Sequence, residues 1–318
     1  MHFDKSYNLV KIFPDFFQKD FDMELYNRQF KSANVIIQAK AKKVNYPAHW
    51  GPLSIKCAFK GKEFYELNNC MYAVNDQNYL VINEGSRYSS FIDSHSEVNS
   101  FTLNFSPLFV KESMESMVEP DEKLLADYSN FSNRNHIDIV ERLYTHDCTV
   151  SPLVFKILAL TEDFEKNINQ VEELYFSLFE QLIFKQKSNL TEIRNVQAIK
   201  HSTQMELYKR LHRAKDFIDS CYTEDISLDD LAKMCWLNKS YFLRQFKKYF
   251  AITPGQYIIL KRMQEAKQLL ERKSKVSIVE ICHQVGYSDL SSFSRLFKNY
   301  YRHSPEKYRN NNAPPQSK

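Results

Sequence analysis

Apolar residues along this chain keep two different periods. Between Ser32 and Phe105 they fall in short runs rich in β-branched and aromatic side chains: 35–37, 53–59, 63–67, 79–82, 88–92 and 101–105. Turn-forming stretches separate the runs, among them Lys60-Gly61-Lys62, Asn68-Asn69, Asn75-Asp76 and Asn83-Glu84-Gly85-Ser86. Many short, closely spaced strands predict a sandwich or jelly-roll barrel. Beyond Pro107 the period lengthens. Val171, Leu174, Tyr175, Leu178, Phe179, Leu182 and Ile183 recur at helical spacing and give one apolar face. That face packs either on its own domain or on a second copy of the chain, because periodicity does not name the partner. Lys185 to Ser202 is polar and reads as a connector, with the next helix starting near Thr203 to Tyr208. The tail from Asn310 is rich in Asn, Pro and polar residues and is expected to fray.

The C-terminal third contains one supersecondary unit written twice. Ser240-Tyr-Phe-Leu-Arg244-Gln-Phe246-Lys247-Lys-Tyr249-Phe250, followed by Thr253-Pro254 and Tyr257, matches Ser291-Ser-Phe293-Ser-Arg295-Leu-Phe297-Lys298-Asn-Tyr300-Tyr301, followed by Ser304-Pro305 and Tyr308. The two segments keep a constant offset of 51 residues. Upstream, Ser227 to Cys235 matches Ser277 to Val285 at an offset of 50. Each unit reads as helix, tight turn, helix. Ser227 and Ser277 are N-cap candidates, with Asp230 and Glu280 placed for a capping box. Gly286-Tyr287-Ser288-Asp289 supplies the second unit's turn and a new cap. Phe293, Leu296, Phe297 and Tyr300 share one face of the last long helix, and Ser291, Ser294, Arg295 and Lys298 fall on or near the other. Such a helix is anchored on one side and polar and basic on the other, which suits entry into a major groove. A long helix, with Pro254 near its start and Tyr257, Leu260, Met263, Ala266, Leu269 and Leu270 as its apolar stripe, is expected to join the units. A rigid connector would let two recognition helices meet major-groove faces about 34–36 Å apart on one side of a duplex.

Charge sharpens this picture. The 318 residues carry a net charge of +4, but Lys209 to Arg309 holds 20 basic and 11 acidic residues, which is +9 and leaves −5 for the remainder. A basic end on a mildly acidic chain suits a polyanion bound at that end only. The hydrophobic fraction of 43% and only 5 glycines point to a globular chain of two domains rather than a disordered one.

These residues resemble the AraC-type family of bacterial regulators over roughly 207–309. Its second half carries the more specific match: Arg262-x-x-x-Ala266, Leu269-Leu270, Ile281, Gly286-Tyr287-Ser288-Asp289, Ser292-Phe293-Ser294-Arg295-x-Phe297-Lys298, Ser304-Pro305 and Tyr308. The resemblance implies that both recognition helices enter adjacent major-groove segments of double-stranded DNA. By position it implies contacts from Lys239, Ser240, Leu243, Arg244 and Lys247, and from Leu290, Ser291, Ser294, Arg295 and Lys298. Arg244 and Arg295 either contact bases or phosphates or are held in ion pairs within the domain. Lys247 and Lys298 suit phosphate or remain solvated. Phe246, Phe293, Phe297, Tyr257 and Tyr308 are expected in the core. The chain departs from the family at three places where glycine is common: Trp236 in the first turn, and Ala251 and Arg302 after the two recognition helices. These departures put local turn geometry in question, and Arg302 offers a phosphate contact instead.

The resulting fold class is multidomain α+β. Families of this type place a cupin-like barrel in front of an all-α double helix-turn-helix. The expected organisation is a sensor and dimerisation domain over 1–187 (barrel about 30–106, helices about 107–187), a linker over 188–206, a DNA-binding domain over 207–310 and a tail over 311–318. Barrel-mouth aromatics such as Trp50, Phe59, Tyr65 and Tyr88 would suit a small organic effector, although a filled apolar core is equally compatible. The expected function is sequence-specific transcription regulation by a homodimer responsive to that effector, with RNA polymerase as a further partner if it activates.

Other functions have weaker support in the sequence. A metal-dependent cupin-type enzyme needs a ligand set, and His49, His95, His201, His212, His283 and His303 show no ligand spacing. No phosphate-binding loop, nucleophile elbow or paired catalytic carboxylate stands out, so no cofactor, metal or catalysis is expected. An architectural DNA-binding protein without an effector is the third reading. The six cysteines, Cys57, Cys70, Cys148, Cys221, Cys235 and Cys282, are scattered and read as reduced thiols, with Cys235 and Cys282 in the core. Residues 1–5 lack a signal pattern, and no run of about 18 apolar residues exists, so a cytoplasmic, nucleoid-associated protein is expected.

Overall fold

The computed structural model describes residues 6–14, 21, 28, 30–117, 138–194, 201–272 and 276–312. The chain divides into two compact units, 1–209 and 210–318.

The first unit is built on a mixed sheet. Its strands are β1 (Tyr7–Val10), β2 (Asn34–Trp50), β3 (Leu53–Phe59), β4 (Glu63–Leu67), β5 (Cys70–Val74), β6 (Asn78–Ile82), β7 (Arg87–Phe105) and β8 (Leu143–Thr145). The order is β1-β2-β7-β3-β6-β8, with β4 joining β5 to the first half of β7. Only the β1–β2 pair is parallel among these. The expected runs 53–59 and 63–67 coincide with β3 and β4. The runs at 88–92 and 101–105 are one strand, because the polar residues between them continue the ladder against β2. Lys43 pairs with Asp93 there, their side chains 3.3 Å apart. Register shifts at Ala41/Lys43 and Tyr46/His49 interrupt this long pair, and Pro47 sits inside the second, where a missing N–H is tolerated. The strands β1, β5 and β8 carry little alternation and were not expected.

Alternation along β3 and β7 gives the sheet two unlike faces. Leu53, Ile55 and Cys57 of β3 and Phe101, Leu103 and Phe105 of β7 join one apolar core, with Phe59 packed at its edge. Three helices supply the other side of this core: α1 (Pro107–Ser116), α2 (Val150–Leu160) and α3 (Ile168–Arg194). The Ser106 hydroxyl caps α1 by accepting from Phe109 N at 3.2 Å. Val171, Tyr175, Leu178, Phe179, Leu182 and Ile183 are all buried against the sheet, so the apolar face of α3 packs within its own unit. The helix runs through the polar stretch expected as a connector as far as Arg194. The opposite sheet face carries Lys56, Ser100, Thr102 and Asn104.

The second unit comprises the C-terminal part of α4 (His201–Cys221), then α5 (Leu228–Met234), α6 (Lys239–Phe250), α7 (Pro254–Glu271), α8 (Ile278–Gln284), α9 (Leu290–Tyr301) and α10 (Pro305–Asn312). The expected tail lies outside the described residues beyond 312. Ser277 and Glu280 form the expected capping box on α8, whereas Ser227 accepts from Asp229 N and forms none. The shorter Asp230 side chain instead pairs with Lys233 at 3.5 Å. Thr253 and Gln256 make a further capping box at the start of α7, with Pro254 in its first turn.

The stripe on α7 binds both units of the repeat. Met263, Ala266 and Leu270 form a core with Ile281, Cys282, Val285, Phe293 and Phe297. In the first half, Phe246 packs against Phe250 and Tyr257 at ring separations of 4.6 and 6.3 Å. A buried ion cluster joins α4 to α7: Asp219 meets Lys215 at 2.7 Å and Lys261 at 3.0 Å, and Tyr257 donates to it at 2.8 Å. Burial alone would raise the Asp219 carboxyl, but the two ammonium groups outweigh it and hold the group below the usual range.

The three glycine departures all fall where the backbone is left-handed: φ is 55° at Trp236, 59° at Ala251 and 63° at Arg302. Ala251 and Arg302 are the residues that end α6 and α9. A Cβ at such a position costs about 1 kcal/mol relative to glycine. Ala251→Gly is therefore expected to raise stability by roughly that amount in a denaturant melt of the full chain. An unchanged or lower midpoint would contradict it.

Candidate functional site

The two turns show why the repeat ends where it does. Trp236 N donates to Lys233 O and Leu237 N to Ala232 O; Gly286 N donates to His283 O and Tyr287 N to Cys282 O. Both are the paired reverse bonds of a helix terminated by a left-handed residue. Asn238 and Asp289 then cap the helices that follow. Asn238 accepts from Tyr241 N at 2.8 Å, and Asp289 accepts from Ser291 N and Ser292 N at 3.2 and 2.7 Å. The side-chain and backbone donors of Ser292, and the backbone N–H of Ser291, hold the exposed Asp289 carboxyl below its ordinary value, favouring the charged cap.

Beyond each cap lies a two-sided helix. Phe242 and Phe246 of α6, and Phe293 and Phe297 of α9, are fully buried. On the other side Lys239, Ser240, Arg244 and Lys247 are exposed, as are Leu290, Ser291, Arg295 and Lys298; Leu243 and Ser294 are half-buried. All ten expected contact residues thus lie away from the core. Arg244 rests over the Tyr241 ring, its guanidinium 5.4 Å from the centroid. Among the described residues no ion pair engages Arg244, Lys247, Arg295 or Lys298, whereas Lys239 pairs with Asp229 at 2.7 Å. Phosphate binding by Lys239 would have to exchange that partner.

The second turn is clamped to the end of α4. Arg262 donates through Nε to Tyr222 O at 2.6 Å and through an Nη to Glu224 O at 2.7 Å, and its guanidinium lies 5.1 Å from the Tyr287 ring centroid. The Thr223 carbonyl between those two acceptors sits against Gly286. Arg262, noted in the sequence only as part of a motif, thus ties α7 to the residues after α4 and to the turn that precedes α9.

The first unit holds a cavity of about 350 Å³ on the sheet face opposite the helices. Trp50, Tyr65 and Tyr88 line it as expected. Phe59 does not. It lies three positions from Lys56 on β3, hence on the opposite face, and packs against Phe155 at 5.8 Å. The sequence reading missed the polar heart of this cavity. Lys56 and Glu63 are 4% and 2% exposed. Lys56 Nζ donates to the Tyr88 hydroxyl at 2.8 Å, and Ser90 donates to Glu63 Oε1 at 3.2 Å. Burial lowers the Lys56 ammonium to about 7, partly opposed by Glu63. Burial likewise raises the Glu63 carboxyl, against the pull of Ser100, Tyr65, Lys56 and Ser90. His49 stands 4.5 Å from the Tyr88 ring. Among the described residues no group of three or more His, Cys, Asp or Glu is placed to hold a metal ion, and no helix is long and apolar enough to cross a membrane. Five cysteines are buried, Cys235 and Cys282 in the core, and Cys148 is exposed.

Residues 231–311 match the family described as a helix-turn-helix domain. The Msm operon regulatory protein of Streptococcus mutans is 30% identical over 172 residues, which is 54% of this chain and 60% of that protein. The chain therefore spans about three fifths of that relative's own length. The uncharacterized HTH-type transcriptional regulator YdeC of Bacillus subtilis is 25% identical over 280 residues, covering 84% of this chain and 87% of that one. Among solved structures, the C-terminal domain of the two-component response regulator yesN from Fusobacterium nucleatum is 35% identical, covers 30% of this chain and 93% of that domain, and has a TM-score of 0.29.

Proposed function

Because its C-terminal region is an AraC-type helix-turn-helix domain, we propose that this chain is a sequence-specific DNA-binding transcription regulator whose first unit senses a small molecule. The observation that carries the reading is the pair of equivalent helices, α6 and α9. Each is anchored by two buried phenylalanines and presents Ser, Arg and Lys outward. Arg244 and Arg295 read base edges, since a guanidinium is matched to guanine in the major groove. Lys247, Lys298 and Arg302 meet phosphates. Two helices working on one duplex predict a protected site of about 17–20 bp per monomer, spanning two adjacent major-groove turns. Footprinting on fragments selected from genomic DNA tests this. Protection without a preferred sequence, or over a single groove segment, would end the regulator reading.

The sensing role rests on the cavity. Its size falls within the range of small-ligand sites, and its lining combines aromatic walls with a few buried polar groups. A cupin-like barrel is the architecture proposed for this sheet, and a homodimer is the proposed working state. RNA polymerase is the further partner where the operator position favours activation.

A further inference from the structure

The cavity is lined by two buried groups of opposite charge, Lys56 and Glu63. Lys56 reaches the cavity from β3, opposite Thr102 of β7. Glu63 reaches it from the start of β4, opposite Val74 of β5. The two interact electrostatically, each shifting the other toward its charged form. Isolated charges are costly to bury, so their balance sets what else can enter. A ligand with a net charge of either sign would leave one buried charge uncompensated.

A second observation concerns hydrogen bonding. Glu63 Oε2 is buried and makes no hydrogen bond of normal geometry among the described residues, although the Ser100 and Tyr65 side chains stand beside the carboxylate and Oε1 accepts from Ser90. A buried acceptor left this way forfeits its hydration without a replacement bond. Whatever occupies the cavity therefore gains by donating to Oε2. Lys56 Nζ, with Tyr88 as one partner, has further N–H groups to offer an acceptor.

The walls set the shape. Tyr88 lies between His49 at 4.5 Å and Tyr65 at 6.1 Å, and Trp50 is 63% exposed at the rim. Gly51 lets the Tyr88 ring come close: a Cβ there would fall 2.8 Å from Tyr88 Cε1 and 2.9 Å from its hydroxyl oxygen. The ring that carries the Lys56 hydrogen bond is thereby held as one wall of the cavity. Flat aromatic walls favour a ring.

We propose that this cavity takes a net-uncharged ring compound whose polar edge offers both a donor and an acceptor, the donor meeting Glu63 Oε2 and the acceptor meeting Lys56 Nζ. This inference rests on the reading of the first unit as a sensor and deepens it. A carboxamide on a ring has the required chemistry: its N–H group serves Glu63 and its carbonyl serves Lys56. The near-neutral titration of Lys56 adds a corollary. An anionic ligand would be bound with proton uptake, and a cationic one with proton release, whereas an uncharged one exchanges few protons.

The test uses three probes of nearly the same shape: benzamide, benzoate and benzamidine. Binding to the full chain is measured by calorimetry in two buffers of different ionisation heat. Benzamide is expected to bind at millimolar concentration with little proton exchange, and each charged probe at least about tenfold more weakly. In the Glu63→Gln variant the order should invert in favour of benzoate, because the Lys56 charge has lost its counterion. In Lys56→Met it should shift toward benzamidine. Circular dichroism confirms folding of each variant; the wild-type order decides alone if a variant does not fold. The proposal is overturned if benzamide fails to bind, if a charged probe binds wild type as tightly, or if a folded Glu63→Gln variant keeps the wild-type order. Operator affinity measured with and without benzamide separates the two claims. The expected probe order with unchanged operator affinity would uphold the ligand assignment and remove the sensing role.

Discussion

Gly286→Ala is expected to destabilise the C-terminal unit by about 2–5 kcal/mol, from a left-handed backbone made unfavourable and an atom forced into occupied space. The glycine holds φ at 85°, and a Cβ on it would fall 2.3 Å from Thr223 O and 2.9 Å from Thr223 C. Both atoms are backbone, and Arg262 fixes the residues on either side of Thr223, so the neighbour has little freedom to retreat. The same place in the first repeat makes the contrast. Trp236 also adopts a positive φ, but its side chain is 78% exposed. Trp236→Gly is accordingly expected to stabilise by about 1 kcal/mol. Thermal melts of the two variants of the full chain should move in opposite directions, each kcal/mol shifting the midpoint by roughly 4–8 °C for a unit of this size. A Gly286→Ala midpoint equal to wild type would show that the clamp on this turn is not tight.

Alanine at both Arg244 and Arg295 should abolish sequence discrimination. Each guanidinium is worth about 1–3 kcal/mol if it is bidentate to a guanine. The two sit on separate helices and share no partner in the structure, so their losses should add to about 2–6 kcal/mol. Binding to random DNA should weaken much less. Lys298→Ala, and Arg302→Gly likewise, should instead lower affinity on all sequences and reduce the slope of log affinity against log salt by about 1. The measurement is titration of operator and scrambled fragments over a range of salt. An equal loss on both fragments for the double variant would mean that the arginines touch phosphate only.

Much of this architecture is legible in the chain because the C-terminal repeat is self-consistent at every level. Cap, apolar stripe, turn residue and following cap recur in the same order, and local preference agrees with packing. Ser277, Asp289 and Pro254 were readable as boundaries for that reason, whereas the Asn238 cap of α6 was not singled out. The first unit was less readable where polar residues extend a strand. The segment between Ile92 and Phe101 offers no hydrophobic alternation to keep it extended; its ladder with β2, joined at Asn99 and Ser100 by β3, does so. Polar composition likewise suggested a connector after Lys185, yet α3 continues to Arg194.

The sequence by itself determined which faces of the C-terminal helices are apolar and where α5, α7, α8 and α9 begin, since capping and periodicity act over a few residues. Departures from the family's glycine pattern also pointed to Trp236, Ala251 and Arg302, three of the six described positions where a left-handed backbone carries a side chain. Tertiary structure alone decided what each polar residue on an alternating strand would face. Lys56 sits in a pattern that reads as solvent-facing, and Glu63 begins a short strand after a turn. Both are buried because the far side of the sheet closes over a cavity instead of opening to water. Period-two alternation separates two faces of a strand but carries no information about which of them meets solvent.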